Sequence, residues 1–116
     1  MQVTIYHNPK CAKSRETLKL LETRGIEPTI IEYLKNPPSK AELASLIKLL
    51  GIEPRDLLRT KEPDYKKAGL ANSKLSDSAI LQAMIKHPKL IERPIVVAGK
   101  RAALGRPPEN VLKILK

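Results

Sequence analysis

Residues 3–33 read VTIYHNPKCAKSRETLKLLETRGIEPTIIEY, and this stretch carries the strongest fold signal in the chain. Two β-prone runs, Val3–Tyr6 and Pro28–Tyr33, predict strands. Between them, Ser14–Arg24 predicts a helix, because its leucines share one face and a glycine follows the last periodic residue. Strand, helix and strand within about thirty residues form a βαβ unit, whose two strands are parallel.

The rest of the chain predicts a helical block, then two strands and a last helix. The helical block begins at a capping box formed by Ser39 and Glu42. The later boundaries are a helix capped by Ser76 or Asp77, a strand at Ile95–Val97, its hairpin partner at Lys100–Leu104, and a helix opened by Pro107 and Pro108. This order predicts an α/β fold with a thioredoxin-like, four-stranded mixed sheet flanked by helices. A helical insertion at about residues 37–90 separates the second and third strands, and we expect residues 1–116 to form one domain.

Composition limits the possible partners. The formal net charge is +10, from 22 Lys and Arg against 12 Asp and Glu, and such a field attracts anions. We do not expect nucleic-acid binding, because the chain has no Trp or Phe, only three Tyr, and no block of basic residues. No apolar run approaches the roughly 18 residues that span a bilayer, so we expect no membrane association. A start without a secretory signal and a single cysteine predict a location in the reducing cytoplasm.

Cys11 is the candidate nucleophile. It lies where a predicted strand ends and a helix begins, so backbone N–H groups and the positive end of the helix dipole face its sulfur. Lys10, Lys13 and Arg15 add positive charge nearby. Cysteines in such places have pKa values of roughly 3.5–7.5, against about 8.5 when free. The alternative is a cysteine that packs as a small hydrophobic residue, but its charged, turn-forming neighbours favour the reactive role.

Two neighbours of Cys11 have more than one possible role. The hydroxyl of Ser14 could donate to the sulfur, cap the helix, or do both. His7 could tune Cys11 electrostatically or anchor the loop by a hydrogen bond, and we favour anchoring because a thiolate at a helix end needs no base. No second cysteine can resolve a bond formed at Cys11, so an outside thiol such as glutathione or a small redox protein is implied.

Three arginines stand out by their context. They are Arg59, Arg93 and Arg106, and the planar guanidinium of arginine suits tetrahedral oxyanions. For each one alone, an exposed surface charge is the simpler interpretation. In a thioredoxin-like layout the loop before the third strand faces the start of the first helix, which would bring Arg93 near Cys11. The Arg93–Pro94 bond is a candidate cis peptide. One cysteine and two distant histidines do not predict a metal site.

Four motifs together resemble one family. They are HNPKCAKSR at residues 7–15, LLR at 57–59, ERPIVV at 92–97 and GRPP at 105–108. In this order they resemble the ArsC family of arsenate reductases, which depend on glutathione and glutaredoxin. The similarity is greatest to the short, YfgD-like branch of that family.

The resemblance implies a catalytic mechanism. Cys11 would attack arsenate, glutathione would attack the resulting adduct to release arsenite, and glutaredoxin would complete the turnover. It implies no bound cofactor, with glutathione as a co-substrate, and we expect a monomer. The family's site residues correspond to Cys11 as nucleophile, to Arg59, Arg93 and Arg106 as oxyanion ligands, and to His7, Ser14 and Arg15 as supporting residues.

Two alternatives stay open. One is a thiol oxidoreductase that acts on another substrate. The other is a regulator of the Spx type, which shares the fold and binds RNA polymerase without being an enzyme. Spx-type proteins carry CxxC at the helix start, whereas this chain has CAKS and the GRPP motif, which favours an enzyme. An enzyme requires Cys11 with Arg93 and Arg106, whereas a regulator should keep its partner when Arg106 is lost.

Overall fold

The structure is a computed structural model that describes residues 2–115, which pack as two compact units. The sheet unit comprises the residues up to Asn36 together with those from Arg93 onward. The helical unit comprises Pro37–Glu92. Among the described residues, no helix is long and apolar enough to cross a membrane.

The sheet unit contains the predicted four-stranded mixed sheet. Its strands lie in the order β2-β1-β3-β4, with β1 parallel to β2 and antiparallel to β3, which is antiparallel to β4. Both the βαβ unit and the hairpin of the sequence prediction are thereby confirmed. The bounds are β1 Val3–His7, helix α1 Ala12–Thr23, β2 Thr29–Glu32, β3 Ile95–Ala98, β4 Arg101–Leu104 and a final 3₁₀ helix Pro108–Ile114.

The core of the sheet unit forms where α1 and the final 3₁₀ helix cover β1 and β3. Ile5, Leu21, Val96 and Val111 are completely buried there. The β-branched residues suit the pleated strands, and Leu21 lies on the apolar face of α1. Each such side chain stabilises the fold by about 1.5–3 kcal/mol relative to an exposed one. This packing holds α1 against the sheet.

The helical unit begins at the predicted cap. The Oγ of Ser39 accepts a hydrogen bond from the N–H of Glu42 at 3.1 Å, and that of Ser76 accepts one from Ala79 at 3.2 Å. Ser76, rather than Asp77, is therefore the cap of the later helix. The bounds are α2 Lys40–Leu50, a 3₁₀ helix Pro54–Leu57, α3 Pro63–Lys67, α4 Asp77–Lys86 and a 3₁₀ helix Pro88–Leu90.

One helix boundary differs from the prediction in a way that matters for the site. Helix α1 begins at Ala12 and not at Ser14, and Cys11 is its N-cap residue with φ −97° and ψ 124°. The N–H of Arg15 bonds to the carbonyl of Cys11 at 3.0 Å, which closes the first turn. Ser14 therefore lies inside that turn, so the predicted start of the helix at Ser14 is wrong and capping is excluded from its possible roles.

Candidate functional site

The loop between β1 and α1 is held by hydrogen bonds within itself. The N–H of Cys11 donates to the carbonyl of Asn8 at 3.0 Å, and the side-chain Oδ1 of Asn8 accepts from the N–H of Lys10 at 3.0 Å. The Nη1 of Arg15 donates to the carbonyl of Pro9 at 2.9 Å. Arg15 thus stabilises the loop that carries Cys11.

A buried His7–Ser14 pair connects the end of β1 to the first turn of α1. Nδ1 of His7 lies 2.6 Å from the Oγ of Ser14, which also accepts from the N–H of Asn8 at 3.0 Å. Burial lowers the pKa of His7, the charge of Glu32 partly opposes this, and Arg15 lowers the pKa further. The imidazole is therefore neutral at pH 7, and its Nδ1 is hydrogen-bonded to the Ser14 hydroxyl. This contact matches the predicted anchoring role of His7.

The thiol of Cys11 is activated in spite of its burial. Only 8% of the residue is exposed. Burial raises the pKa of the thiol, but a hydrogen bond from the Arg93 side chain, the charge of Arg93 and the backbone N–H groups of Ser14 and Lys13 together bring it below its ordinary value. Ser14 thus stabilises the thiolate through its backbone N–H, while its hydroxyl is hydrogen-bonded to His7 and to the backbone of Asn8. The hydroxyl-to-sulfur bond considered from the sequence is replaced by this arrangement.

Two of the three predicted arginines lie beside the sulfur. Arg93 hydrogen-bonds to Cys11, and Nη2 of Arg106 lies 3.7 Å from its Sγ. The Nε of Arg106 donates to the backbone carbonyl of Arg93 at 2.7 Å, which couples the two loops that carry them. Both arginines precede cis prolines: the Arg93–Pro94 cis bond was predicted, and the Arg106–Pro107 cis bond was not.

Arg59 lies in the helical unit, and its relation to Cys11 stays a prediction. Its Nη1 is 2.8 Å from Oε1 of Glu92, and its Nε is 3.5 Å from Oε1 of Glu62. The guanidinium is therefore held by two carboxylates, with 21% of its side chain exposed. An arginine fixed in this way loses little further side-chain entropy when it binds an anion.

Sequence reasoning missed three residues around this site. Asn8 organises the loop, Tyr33 is buried directly beyond β2, and Gly105 allows close approach. A Cβ at position 105 would overlap Oγ1 of Thr17 and lie 2.8 Å from Cγ of Pro94. Asn8 and Gly105 belong to the HNPKCAKSR and GRPP motifs that the sequence had already indicated. The sequence does not show the contacts that these two residues make. The position of Tyr33 in the sequence was a usable signal. Tyr33 directly follows β2, and β2 pairs with β1, the strand that leads to Cys11.

The arrangement combines a thiolate with two guanidinium groups. A nucleophilic sulfur flanked by fixed cations can bind a small oxyanion and stabilise the charge of a transition state at its central atom. Within residues 2–115 no group of three or more His, Cys, Asp or Glu side chains could hold a metal ion.

The chain is similar in sequence and in structure to several known proteins. A sequence model of the ArsC family matches residues 6–114. The chain is 55% identical to the uncharacterized protein YfgD of Escherichia coli K12, with 98% of this chain and 97% of that protein covered. It is 53% identical to an arsenate reductase of Haemophilus influenzae, with coverage of 99% and 100%. Among solved structures, an arsenate reductase from Vibrio cholerae superposes with a TM-score of 0.97 at 58% identity, covering 99% of this chain and 98% of that one.

Proposed function

The chain belongs to the ArsC family, and from that premise we propose that it is an oxidoreductase that reduces arsenate to arsenite with glutathione and glutaredoxin. The observation that carries the proposal is the activated thiol of Cys11 with Arg93 and Arg106 beside it. The Haemophilus influenzae and Vibrio cholerae relatives named arsenate reductases, at 53% and 58% identity, support the choice of arsenate. The proposed setting is the cytoplasm, where glutathione is kept reduced.

The first chemical step is the formation of a sulfur–arsenic bond. The thiolate of Cys11 attacks arsenic, and one arsenic–oxygen bond breaks, with the oxygen leaving as water after protonation. Arsenic stays in the pentavalent state in this step. The guanidinium groups of Arg93 and Arg106 bind the remaining oxygens and offset the negative charge that accumulates in the transition state. Arg59 stays a predicted third ligand of the oxyanion.

The second step supplies the electrons. The sulfur of glutathione attacks the sulfur of Cys11, so that a disulfide forms while the sulfur–arsenic bond breaks. Arsenic leaves with the electron pair as arsenite, and the two thiols together have given two electrons. The chain has one cysteine and cannot reduce this mixed disulfide itself. Glutaredoxin removes the glutathione by thiol–disulfide exchange and regenerates Cys11.

The test is arsenate-dependent oxidation of NADPH in a coupled assay with glutathione, glutaredoxin and glutathione reductase. Wild-type protein should consume NADPH only when arsenate is present, and Cys11→Ser should not consume it. Omitting glutaredoxin should slow turnover, because the mixed disulfide then accumulates. Wild-type protein that leaves arsenate unreduced while Cys11 still reacts with iodoacetamide would contradict the proposal and indicate another thiol substrate or a protein partner.

A further inference from the structure

Tyr33 is a fully enclosed phenol beside the candidate site. The residue is 1% exposed, and its hydroxyl oxygen is inaccessible to solvent. The hydroxyl makes no hydrogen bond of ordinary geometry in the resting structure. Buried polar groups almost always have such a partner, and a group without one destabilises the fold. A phenylalanine would fill nearly the same volume without this cost, so fold stability does not account for the hydroxyl.

The strand pairing places Tyr33 at the same end of the sheet as two residues of the site. In the parallel pair, His7 of β1 is opposite Glu32 of β2, so the next position brings Asn8 beside Tyr33. In the antiparallel pair, Tyr6 is opposite Ile95, and Arg93 precedes this strand at the same end of the sheet. The side chains of Asn8 and Arg93 both lie close enough to the Tyr33 hydroxyl to interact with it, at the end of the sheet where the loop to Cys11 begins.

The electrostatics of the phenol agree with this placement. Burial raises the pKa of Tyr33, and the nearby Arg93 and Asn8 side chains lower it only in part. Burial lowers the pKa of Arg93, but Cys11 and Tyr33 reverse this and raise it overall. The phenol is thus neutral beside a permanently charged guanidinium, and its oxygen can accept a hydrogen bond from an N–H of Arg93.

We propose that Tyr33 is a positioning residue: its hydroxyl accepts a hydrogen bond from Arg93 and holds that guanidinium against the sulfur of Cys11. Hydrogen bonds of catalytic sites are often long in the absence of substrate and tighten when it binds, which fits the poor geometry of the resting contact. The inference rests on the proposed function for its kinetic readout, whereas its titration readout needs no substrate.

The test compares Tyr33→Phe with Tyr65→Phe, the same chemical change in the helical unit. The pKa of Cys11 is measured from the ultraviolet absorbance of the thiolate, with a matching Cys11→Ser protein subtracted to remove tyrosinate absorbance. Tyr33→Phe should move the midpoint upward by about 0.5–1 pH unit, and Tyr65→Phe should leave it unchanged. Charged and titratable side chains of the segments around Cys11 in the sheet unit include Tyr6, His7, Lys10, Lys13, Arg15, Glu16, Glu32, Tyr33, Arg93 and Arg106.

Two kinetic readouts accompany the titration. At a pH well below the titration midpoint of Cys11, a rise of one unit in its pKa lowers the thiolate fraction about tenfold. The same rise increases the nucleophilicity of the thiolate about threefold, so alkylation by iodoacetamide should slow about threefold. The value of kcat/KM for arsenate should fall about three- to tenfold at low pH, and the loss should shrink as pH rises and the thiol ionises fully.

Unfolding by urea separates the positioning role from a structural one. Tyr33→Phe should unfold at the same urea concentration as wild type or a higher one, because it removes a poorly bonded buried hydroxyl. A wild-type midpoint for Cys11 in Tyr33→Phe would overturn the inference, whatever the stability of that variant. If the wild-type protein does not reduce arsenate, the proposed function fails, but the titration still decides the role of Tyr33.

Discussion

Cys11 combines two properties that usually oppose each other, burial and a low pKa. Burial favours the neutral thiol, whereas the donors around the sulfur favour the thiolate. The strongest of these donors is Arg93, whose backbone carbonyl accepts a hydrogen bond from Nε of Arg106. The reactivity of the cysteine therefore depends on one side chain more than on the helix end.

We predict that Arg93→Ala raises the pKa of Cys11 by roughly one unit or more, since an adjacent opposite charge shifts a pKa by about 1–3 units. Wild-type Cys11 should react with iodoacetamide faster than free cysteine at pH 6, and Arg93→Ala should remove most of this advantage. Arg93→Lys should keep part of it, because the charge remains but the planar fork is lost. A wild-type titration midpoint near 8.5, the approximate value for free cysteine, would exclude an activated thiolate.

Arg106 should act mainly on the bound oxyanion. Its Nη2 is 3.7 Å from the sulfur, at the long limit of a hydrogen bond to sulfur. We predict that Arg106→Ala lowers kcat/KM for arsenate about 10- to 100-fold, the equivalent of roughly 1.5–3 kcal/mol for a charged hydrogen bond, while the fold stays intact. The exposed Arg101 of β4 provides the matched control, because Arg101→Ala removes the same charge. Equal kinetics for both variants would remove Arg106 from the site.

At the scale of elements, the junction of β1 and α1 depends on one hydroxyl. The Oγ of Ser14 is completely buried and holds both Nδ1 of His7 and the N–H of Asn8. We predict that Ser14→Ala lowers the free energy of unfolding by about 1–3 kcal/mol, because it leaves a buried N–H without its acceptor. Urea titration measures the loss, and the exposed Ser73 gives a control variant, Ser73→Ala, that should stay within about 0.5 kcal/mol of wild type.

The same junction should make stability depend on pH. The pKa of His7 in the folded protein is lowered, chiefly by burial, from an unfolded value of 6.5. The unfolded chain therefore takes up the proton first, so stability should fall as pH decreases from about 6.5 toward the lower folded pKa. His7→Gln should flatten the decrease measured by urea unfolding between these values, and His87→Gln, in the helical unit, should retain it. A decrease that persists unchanged in His7→Gln would assign it to other groups.

Local patterns in the sequence predicted most elements but not the contacts between distant segments. Leucine spacing located α1, and the serine caps located α2 and α4, because these signals lie within a few residues of each other. The start of α1 was predicted too late because serine is a commoner helix cap than cysteine. Nothing in the local sequence showed that the hydroxyl of Ser14 is hydrogen-bonded to His7. The meeting of Tyr33, Asn8 and Arg93 at one end of the sheet depends on the pairing of three strands, which no local pattern contains.

At the scale of the whole molecule, the net charge of +10 should act on the rate at which anions reach Cys11. A field of one sign raises the local concentration of oppositely charged ligands, and added salt screens it beyond about 10 Å at 0.1 M ionic strength. Arg93 and Arg106 act at contact distance, where salt screens less. The two contributions can therefore be separated by the salt dependence of a pair of alkylating reagents of similar size, one anionic and one neutral.

We predict that iodoacetate, an anion, reacts with Cys11 at a rate that falls several-fold as ionic strength rises from about 0.01 to 0.5 M, because the Debye length shrinks from about 30 Å to a few Å. Iodoacetamide is neutral, and its rate reports any change that salt causes in the thiolate population. The ratio of the iodoacetate rate to the iodoacetamide rate therefore isolates the attraction of the anion. Arg106→Ala should lower this ratio at every salt concentration but keep much of its slope, since nine of the ten net positive charges remain. A ratio that does not vary with salt in the wild-type protein would show that the charge of the whole molecule plays no part in bringing anions to the site.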